Sequence, residues 1–334
     1  MNVDNIHVHN VGELVKMGDG VLLQRVPEPV RTALNDTAQT KYRQPAGVEL
    51  RFVTDASAVS VTLSAPEGNT LVPYWGPIRG GRTFPIGPEP TTIEVPRPAQ
   101  LHALGSAFIG DVSGFSTECW RLRFDHQAGP VRYHDIAASE PIVLPPASTV
   151  PDRRYVAYGT SITHGNAATG PHLTYVDTTA RRLAIDSCNL GTGGSAYCEP
   201  ELADHIAGLD WDIATLAISV NMLGAGFSTE TFRERARYFV KTVAGTGRPV
   251  GVITLFPHYR DFSDHDEADL ATAYRETVRN VVAELDLPNV VVIEGPTLLR
   301  PAEVTADLIH PADEGMIGIG ERLATRLDPL LTDT

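Results

Sequence analysis

Residues 153–165 read RRYVAYGTSITHG. The run Tyr155–Tyr158 is apolar and stops abruptly at Gly159-Thr160-Ser161. Such a run predicts a buried strand that delivers a small hydroxyl residue from its carboxyl end. Downstream the same grammar repeats. HLTYVDTTARRLA (172–184) has helical spacing and precedes the run IDSCNLG (185–191). EPELADHIAGL (199–209) leads to DIATLAISVN (212–221). STETFRERARYFVKTVAG (228–245) places Phe232, Ala236, Phe239, Val240 and Val243 on one helical face. VGVITLFP (250–257) precedes EADLATAYRETVRNVVAEL (267–285), with Leu270, Tyr274, Val278, Val281 and Leu285 on one stripe. NVVVIEG (289–295) leads to a last helix, roughly 313–327. Five largely apolar strands alternating with amphipathic helices predict an α/β fold whose parallel sheet is covered on both faces. Ligands bind beyond the carboxyl ends of such strands, which is where Ser161 sits.

Upstream the period changes. GVELRFVTDA (47–56), AVSVTLSA (58–65), TTIEVPRP (91–98) and CWRLRFDH (119–126) are rich in β-branched and aromatic residues. Turn-forming clusters such as PEGN (66–69) and GPIRGGR (76–82) separate them, and no helical period stands out. This pattern predicts an all-β sandwich or jelly roll. PIVLPPASTVPDRR (141–154) carries four prolines and reads as a stiff connection. The expected division is therefore a β-sandwich over 1–145 and an α/β domain over 146–334.

The chain has 334 residues and a formal net charge of −14. An acidic chain with no basic arm argues against nucleic acid and against an anionic membrane surface as partners. No apolar run approaches membrane-spanning length. The N-terminus lacks the basic-then-apolar layout of a signal peptide. The three cysteines, Cys119, Cys188 and Cys198, make no disulfide framework. A cytoplasmic protein is expected.

A serine at a strand end is more often a helix cap than a nucleophile. Other residues shift that balance. ADLIHPADEG (306–315) holds Asp307 and His310 three apart, on a loop that Pro311 follows. A nucleophilic serine needs a base, and the base needs an acceptor that fixes its tautomer. Acyl transfer also needs donors for the oxyanion. Gly194 in NLGTGGSAY (189–197), after the second strand, and Asn221, ending LAISVN, are candidates for that role. Singly, each is an ordinary loop glycine or turn asparagine.

Serine after the first strand, glycine after the second, asparagine after the third and Asp-x-x-His after the last together resemble the SGNH (GDSL-like) hydrolases. The resemblance spans about 153–327, most of the second half. It implies a flavodoxin-like three-layer α/β/α domain with a five-stranded parallel sheet. It also implies that Ser161 is the nucleophile, His310 the general base and acid, and Asp307 its orienter. The Ser161 and Gly194 N–H groups and the Asn221 side chain would form the oxyanion hole. Two blocks depart from the family pattern. Gly-Asp-Ser is Gly159-Thr160-Ser161, and Gly-x-Asn-Asp is Ser219-Val220-Asn221-Met222. Met222 suggests an apolar pocket edge. The α/β-hydrolase alternative requires Gly-x-Ser-x-Gly, and position 163 is Thr. With a sandwich ahead of it, the chain also resembles a smaller group in the family. That group includes acyl esterases and the salicylyl acyltransferase of tetracycline biosynthesis, with sandwiches like carbohydrate-binding modules.

His258 and Tyr259 follow the fourth strand, close enough to contact a substrate. His164 lies three residues past Ser161 and ranks below His310 as base. His7 and His9 lack a carboxylate or cysteine companion, so no metal site is assigned. Tyr74, Trp75 and Trp120 suit either core packing or sugar stacking. The reading is a serine esterase for a small acyl ester, on a sugar or a natural-product hydroxyl, needing no cofactor. An acyltransferase, and a glycan-binding protein with a silent hydrolase scaffold, are the alternatives.

Overall fold

Twelve strands precede the run at 155. They are β1 (Asn2–Val3), β2 (Ile6–His9), β3 (Glu13–Met17), β4 (Gly20–Gln24), β5 (Glu49–Val53), β6 (Ala58–Ser64), β7 (Asn69–Trp75), β8 (Ile78–Arg79), β9 (Phe84–Ile86), β10 (Thr91–Pro96), β11 (Cys119–Phe124) and β12 (Arg132–Ala138). The computed structural model describes residues 1–104, 114–262 and 267–332, and statements of number refer to those. The strands form two antiparallel sheets, β1-β2-β5-β11-β7-β8 with β9 on β7, and β10-β6-β12-β4-β3. Alternation explains the core. Leu50 and Phe52 of β5, Trp120, Leu122 and Phe124 of β11, and Val59, Val61 and Leu63 of β6 are buried in one cluster. Trp75 and Trp120 meet edge to face at 5.3 Å within it, so neither ring is offered to a sugar.

The opposite face of the first sheet is buried as well, which the alternation does not foretell. Glu49 and Arg51 of β5 lie opposite Arg123 and Arg121 of β11. All four are at most 7 % exposed. The Glu49 carboxylate accepts from Arg51 at 2.8 Å and from Arg121 at 2.6 and 2.7 Å. Arg51 also forks onto Asp186 at 2.6 and 2.8 Å. Phe115 lies beneath the Arg121 guanidinium at 3.7 Å.

The second half alternates as its sequence predicts. Its elements are β13 (Arg154–Gly159), α3 (Ser161–His164), α4 (Tyr175–Leu183), β14 (Asp186–Asn189), α5 (Pro200–Gly208), β15 (Ile213–Ala217), α6 (Val220–Gly224), α7 (Thr229–Ala244), β16 (Val250–Ile253), α8 (Glu267–Leu285), β17 (Val290–Ile293) and α9 (Asp313–Thr332). Two six-residue helices, α1 (Glu28–Ala33) and α2 (Asp36–Lys41), were absent from the sequence expectation. Neither is long enough to show a periodic stripe. The parallel sheet has the order β14-β13-β15-β16-β17. This is the flavodoxin-like order, whose direction of winding reverses between β13 and β15. Helix α4 packs on α9, while α7 packs on α5 and α8, giving one helical layer on each face.

Contacts divide the chain into two units. The first comprises Met1–Glu28, Tyr42–Asp152 and Ala184–Asp186. The second comprises Pro29–Lys41, Arg153–Leu183 and Ser187–Thr334, so α2 and nearly all of α1 belong with the parallel sheet.

Three local expectations change. Leu270 is 37 % exposed, and Ala271 takes its place on the buried face of α8 beside Tyr274, Val278 and Val281. Helix α9 continues five residues past 327, with Leu331 buried. Asn221 does not end a strand: β15 stops at Ala217, and Asn221 is the second residue of α6. Among the described residues no helix is long and apolar enough to cross a membrane.

Candidate active site

The turn after β13 is built by close approach. A methyl on Gly159 would meet the Thr163 hydroxyl and, at 2.8 Å, the Ala217 carbonyl oxygen, so only glycine fits. Thr160 is extended at the N-cap, and Ser161 begins α3. Its N–H, in the first turn, has no intrahelical acceptor. The short helix is tied down by its neighbours. The Thr163 and Tyr175 hydroxyls are 2.8 Å apart, and Asn189 Nδ2 donates to the Thr163 carbonyl at 2.8 Å. His164 is buried with Nδ1 3.2 Å from the Gly191 carbonyl, which occupies it away from the serine.

His310 comes to that serine from 149 residues away, with Nε2 2.8 Å from Ser161 Oγ. Its Nδ1 lies 2.7 Å from Asp307 Oδ2. Proton donation from Nδ1 to the carboxylate leaves Nε2 as the acceptor facing the hydroxyl. The loop is closed on itself. Asp307 Oδ1 accepts from the Thr305 hydroxyl at 2.9 Å and from the Ile309 and His310 N–H groups at 2.8 and 2.9 Å. Partial burial opposes the Asp307 charge, but His310 and these donors outweigh it. They hold the carboxyl well below the usual carboxylate range.

Gly194 has φ +72°, the left-handed region, in the loop after β14. Thr192 N–H bonds to the Gly159 carbonyl at 2.8 Å, which sets this loop against the serine turn. Asn221 Oδ1 accepts from the Ala196 N–H at 3.1 Å, so its Nδ2 donors are left for the other side. Ser161, Gly194, Asn221 and His310 line one cavity of about 540 Å³. A larger groove, about 870 Å³, runs along α7 past Arg233 and Tyr238, but holds no nucleophile beside a base.

The sequence matches the GDSL-like Lipase/Acylhydrolase family over residues 152–328. The chain belongs to this family. Solved structures show the same fold along nearly the whole length. Salicylyl-acyltransferase SsfX3 from a tetracycline biosynthetic pathway is 19 % identical, with TM-score 0.76, covering 98 % of this chain and 96 % of that one. A family two carbohydrate esterase from Cellvibrio japonicus is 13 % identical, with TM-score 0.67 and coverage of 99 % and 96 %. One from Clostridium thermocellum, in complex with cellohexaose, is 16 % identical, with TM-score 0.63 and coverage of 85 % and 92 %. No curated protein sequence matches the chain.

In this GDSL-like chain, the remaining expected contacts divide. His258 and Tyr259 line the cavity. His258 is 2 % exposed, and among the described residues neither ring nitrogen has a hydrogen-bond partner. Its Nδ1 is 3.6 Å from Asp261, too far for a hydrogen bond. Burial lowers its pKa and keeps the ring neutral. Met222 is different: it is fully buried and absent from the cavity wall, where Leu223 stands instead. In a helix, adjacent residues face about 100° apart, so placing Asn221 at the cavity turns its neighbour inward.

The wall also holds Lys41 and Arg260, which no motif marks. Lys41 ends α2. Just ahead of that helix, Asn35 is fixed by donating to the Ser195 carbonyl at 3.0 Å and to Glu199. No local pattern in 29–41 discloses that this segment packs beside residues 160 and 164 positions away.

Proposed function

We propose that the chain cleaves a small acyl ester through Ser161, His310 and Asp307 by way of an acyl-enzyme. The hydrogen-bonded series from Asp307 through His310 to Ser161 carries this reading. His310 Nε2 takes the Ser161 proton as Oγ attacks the ester carbonyl. The oxyanion is held by the Ser161 and Gly194 N–H groups and by Asn221 Nδ2. His310 then returns the proton to the leaving alcohol, and the acyl group stays on Oγ. Water, deprotonated by His310, attacks the acyl-enzyme, releases the acid and regenerates the serine. Asp307 orients the imidazole and stabilises its cation. His258 and Tyr259 contact the substrate. A sugar or natural-product hydroxyl is the favoured alcohol, because carbohydrate esterases share the fold.

Short-chain p-nitrophenyl esters and a fluorophosphonate test it. We expect turnover, and one adduct on Ser161 by mass spectrometry. Ser161→Ala should lose both while its melting temperature stays near that of the parent; persistent turnover in that variant would overturn the mechanism. Transfer is the second reading, favoured by the acyltransferase of the same architecture. An adduct without hydrolysis, and ester formation when an alcohol acceptor is added, would select it.

A further inference from the structure

The loop that follows α3 is pinned beside the nucleophile. Gly165, at φ +109°, ends the helix, and the Asn166 N–H donates to the Ser161 carbonyl at 2.9 Å. Ala167 is left-handed at φ +71°, a region that a residue with a Cβ rarely adopts. Thr169 closes the loop, its N–H and hydroxyl donating to Asp313 at 2.8 and 2.6 Å. Between these fixed points the half-buried Asn166 lines the Ser161 cavity. A methyl placed on Gly193 would lie 3.6 Å from Ser161 Cβ, and 3.6 and 3.8 Å from Oδ1 and Nδ2 of Asn166. Nucleophile and carboxamide therefore flank one gap, which glycine keeps open. Asn221, the second carboxamide of the wall, is already tied by its Oδ1 to the Ala196 N–H, and the Tyr197 hydroxyl donates to the Gly194 carbonyl at 3.3 Å. The Asn166 carboxamide makes no such bond to the described residues, so its donors and its acceptor are kept for a ligand. A strained backbone held next to a nucleophile marks a place where the chain gives up local comfort for position.

We infer that Asn166 determines specificity: its carboxamide hydrogen-bonds an oxygen that the substrate carries next to the scissile ester. This rests on the hydrolase reading above and names a chemical class for it, esters with a hydroxyl or ether oxygen a short step from the reacting carbonyl. The acyl carbon bonds to Ser161 Oγ, so a short substituent entering the gap over Gly193 meets the carboxamide. An ester that covers Asn166 with a methyl group instead strips water from it and leaves it unpaired. On that basis a polar site rejects an analogue lacking its hydroxyl. An acyl oxygen and an alcohol oxygen both fit this chemistry. Nδ2 donates to either a hydroxyl or an ether, whereas Oδ1 accepts only from a hydroxyl.

Two isosteric pairs of esters test this. 4-Nitrophenyl methoxyacetate against 4-nitrophenyl butyrate places an ether oxygen on the acyl group. 2-Hydroxyethyl acetate against propyl acetate places a hydroxyl on the alcohol. Each kcat/KM is divided by the rate at which hydroxide hydrolyses the same ester. Each variant is scored by the ratio within a pair, so a general loss of activity cancels. We expect the oxygen-bearing member of at least one pair to be favoured about five- to tenfold. Asn166→Leu, which keeps the volume, should remove that preference. Asn166→Asp should abolish a preference for the ether, which needs a donor, and keep one for the hydroxyl, which a carboxylate accepts; a residue that only shapes the loop would not separate the two. Gly193→Ala, which fills the gap, should also lower the ratio. Calorimetric titration of the Ser161→Ala chain with the same esters reads the preference without turnover. Tighter binding of an oxygen-bearing ester, lost when Asn166→Leu is added, with no turnover by the parent chain would support the Asn166 contact and overturn the hydrolase reading. Turnover without preference in either pair, or a preference unmoved in Asn166→Leu, would overturn the Asn166 contact alone.

Discussion

Asn221 shows how one side chain is made useful by another residue's backbone. The Ala196 N–H takes its Oδ1 at 3.1 Å, which settles the flip of the carboxamide and reserves Nδ2 as a donor. If Nδ2 holds the oxyanion, Asn221→Ala should lower kcat by about 10²- to 10³-fold with little change in KM. Steady-state kinetics on a p-nitrophenyl ester measures both. Asp307 is the second such case. Three donors fix its Oδ1, so Oδ2 is held for His310. Asp307→Asn should favour the wrong imidazole tautomer and reduce kcat on the order of 10⁴-fold. Retained activity there would mean that His310 is oriented by the backbone alone. Both residues stand out in the local sequence as candidates, although Asn221 falls in α6 and not at a strand end. The orientation of Asn221 was not legible there, because the Ala196 N–H that fixes it lies 25 residues away.

At the level of elements, the serine turn tolerates little change. Gly159→Ala would press a methyl on Thr163 and on the Ala217 carbonyl of the adjacent strand, β15. Overpacking of this kind costs about 1–3 kcal/mol. Because the displaced atoms carry Ser161, activity should fall more than stability does; parallel denaturation and kinetic measurements would show it. Helix α7 offers a contrast. Its N-cap, Ser228, accepts from the Thr231 N–H at 3.1 Å. Ser228→Ala should cost about 1 kcal/mol in denaturant melts and leave turnover alone. Its sixteen residues were readable because its apolar stripe spans several turns. The six residues of α2 carry no such stripe, and its placement beside the parallel sheet depends on Asn35 reaching Ser195 and Glu199.

For the molecule as a whole, the buried charges of the first unit set its response to acid. Burial opposes the Glu49 charge, but Arg121, Arg51 and Arg123 hold its pKa well below the usual range. Asp186 is likewise held down against burial, by Arg51 and His9. Both native pKa values lie below those of the unfolded chain. The unfolded chain therefore binds more protons as pH falls, and this stabilisation is complete above about pH 5 and lost below it. Denaturant midpoints should be level near neutrality and drop steeply toward pH 3. Glu49→Gln should cost about 3 kcal/mol at neutral pH, because three guanidinium groups lose their shared anion. It should also flatten the acid slope. An unflattened slope would place the acid sensitivity outside this network.

The sequence by itself determined the two periods, the five strands of the second half, the glycine-serine turn and the Asp-x-x-His loop. All of these follow from side-chain periodicity and from interactions between residues a few positions apart. Tertiary structure decided what meets across the chain. It brought His310 to Ser161, set Lys41 on the wall of their cavity, turned Met222 into the core and buried the arginine face around Glu49. Such contacts depend on how strands cross and helices pack, and a local pattern of apolar and polar residues reveals that a face is amphipathic without revealing what will lie against it.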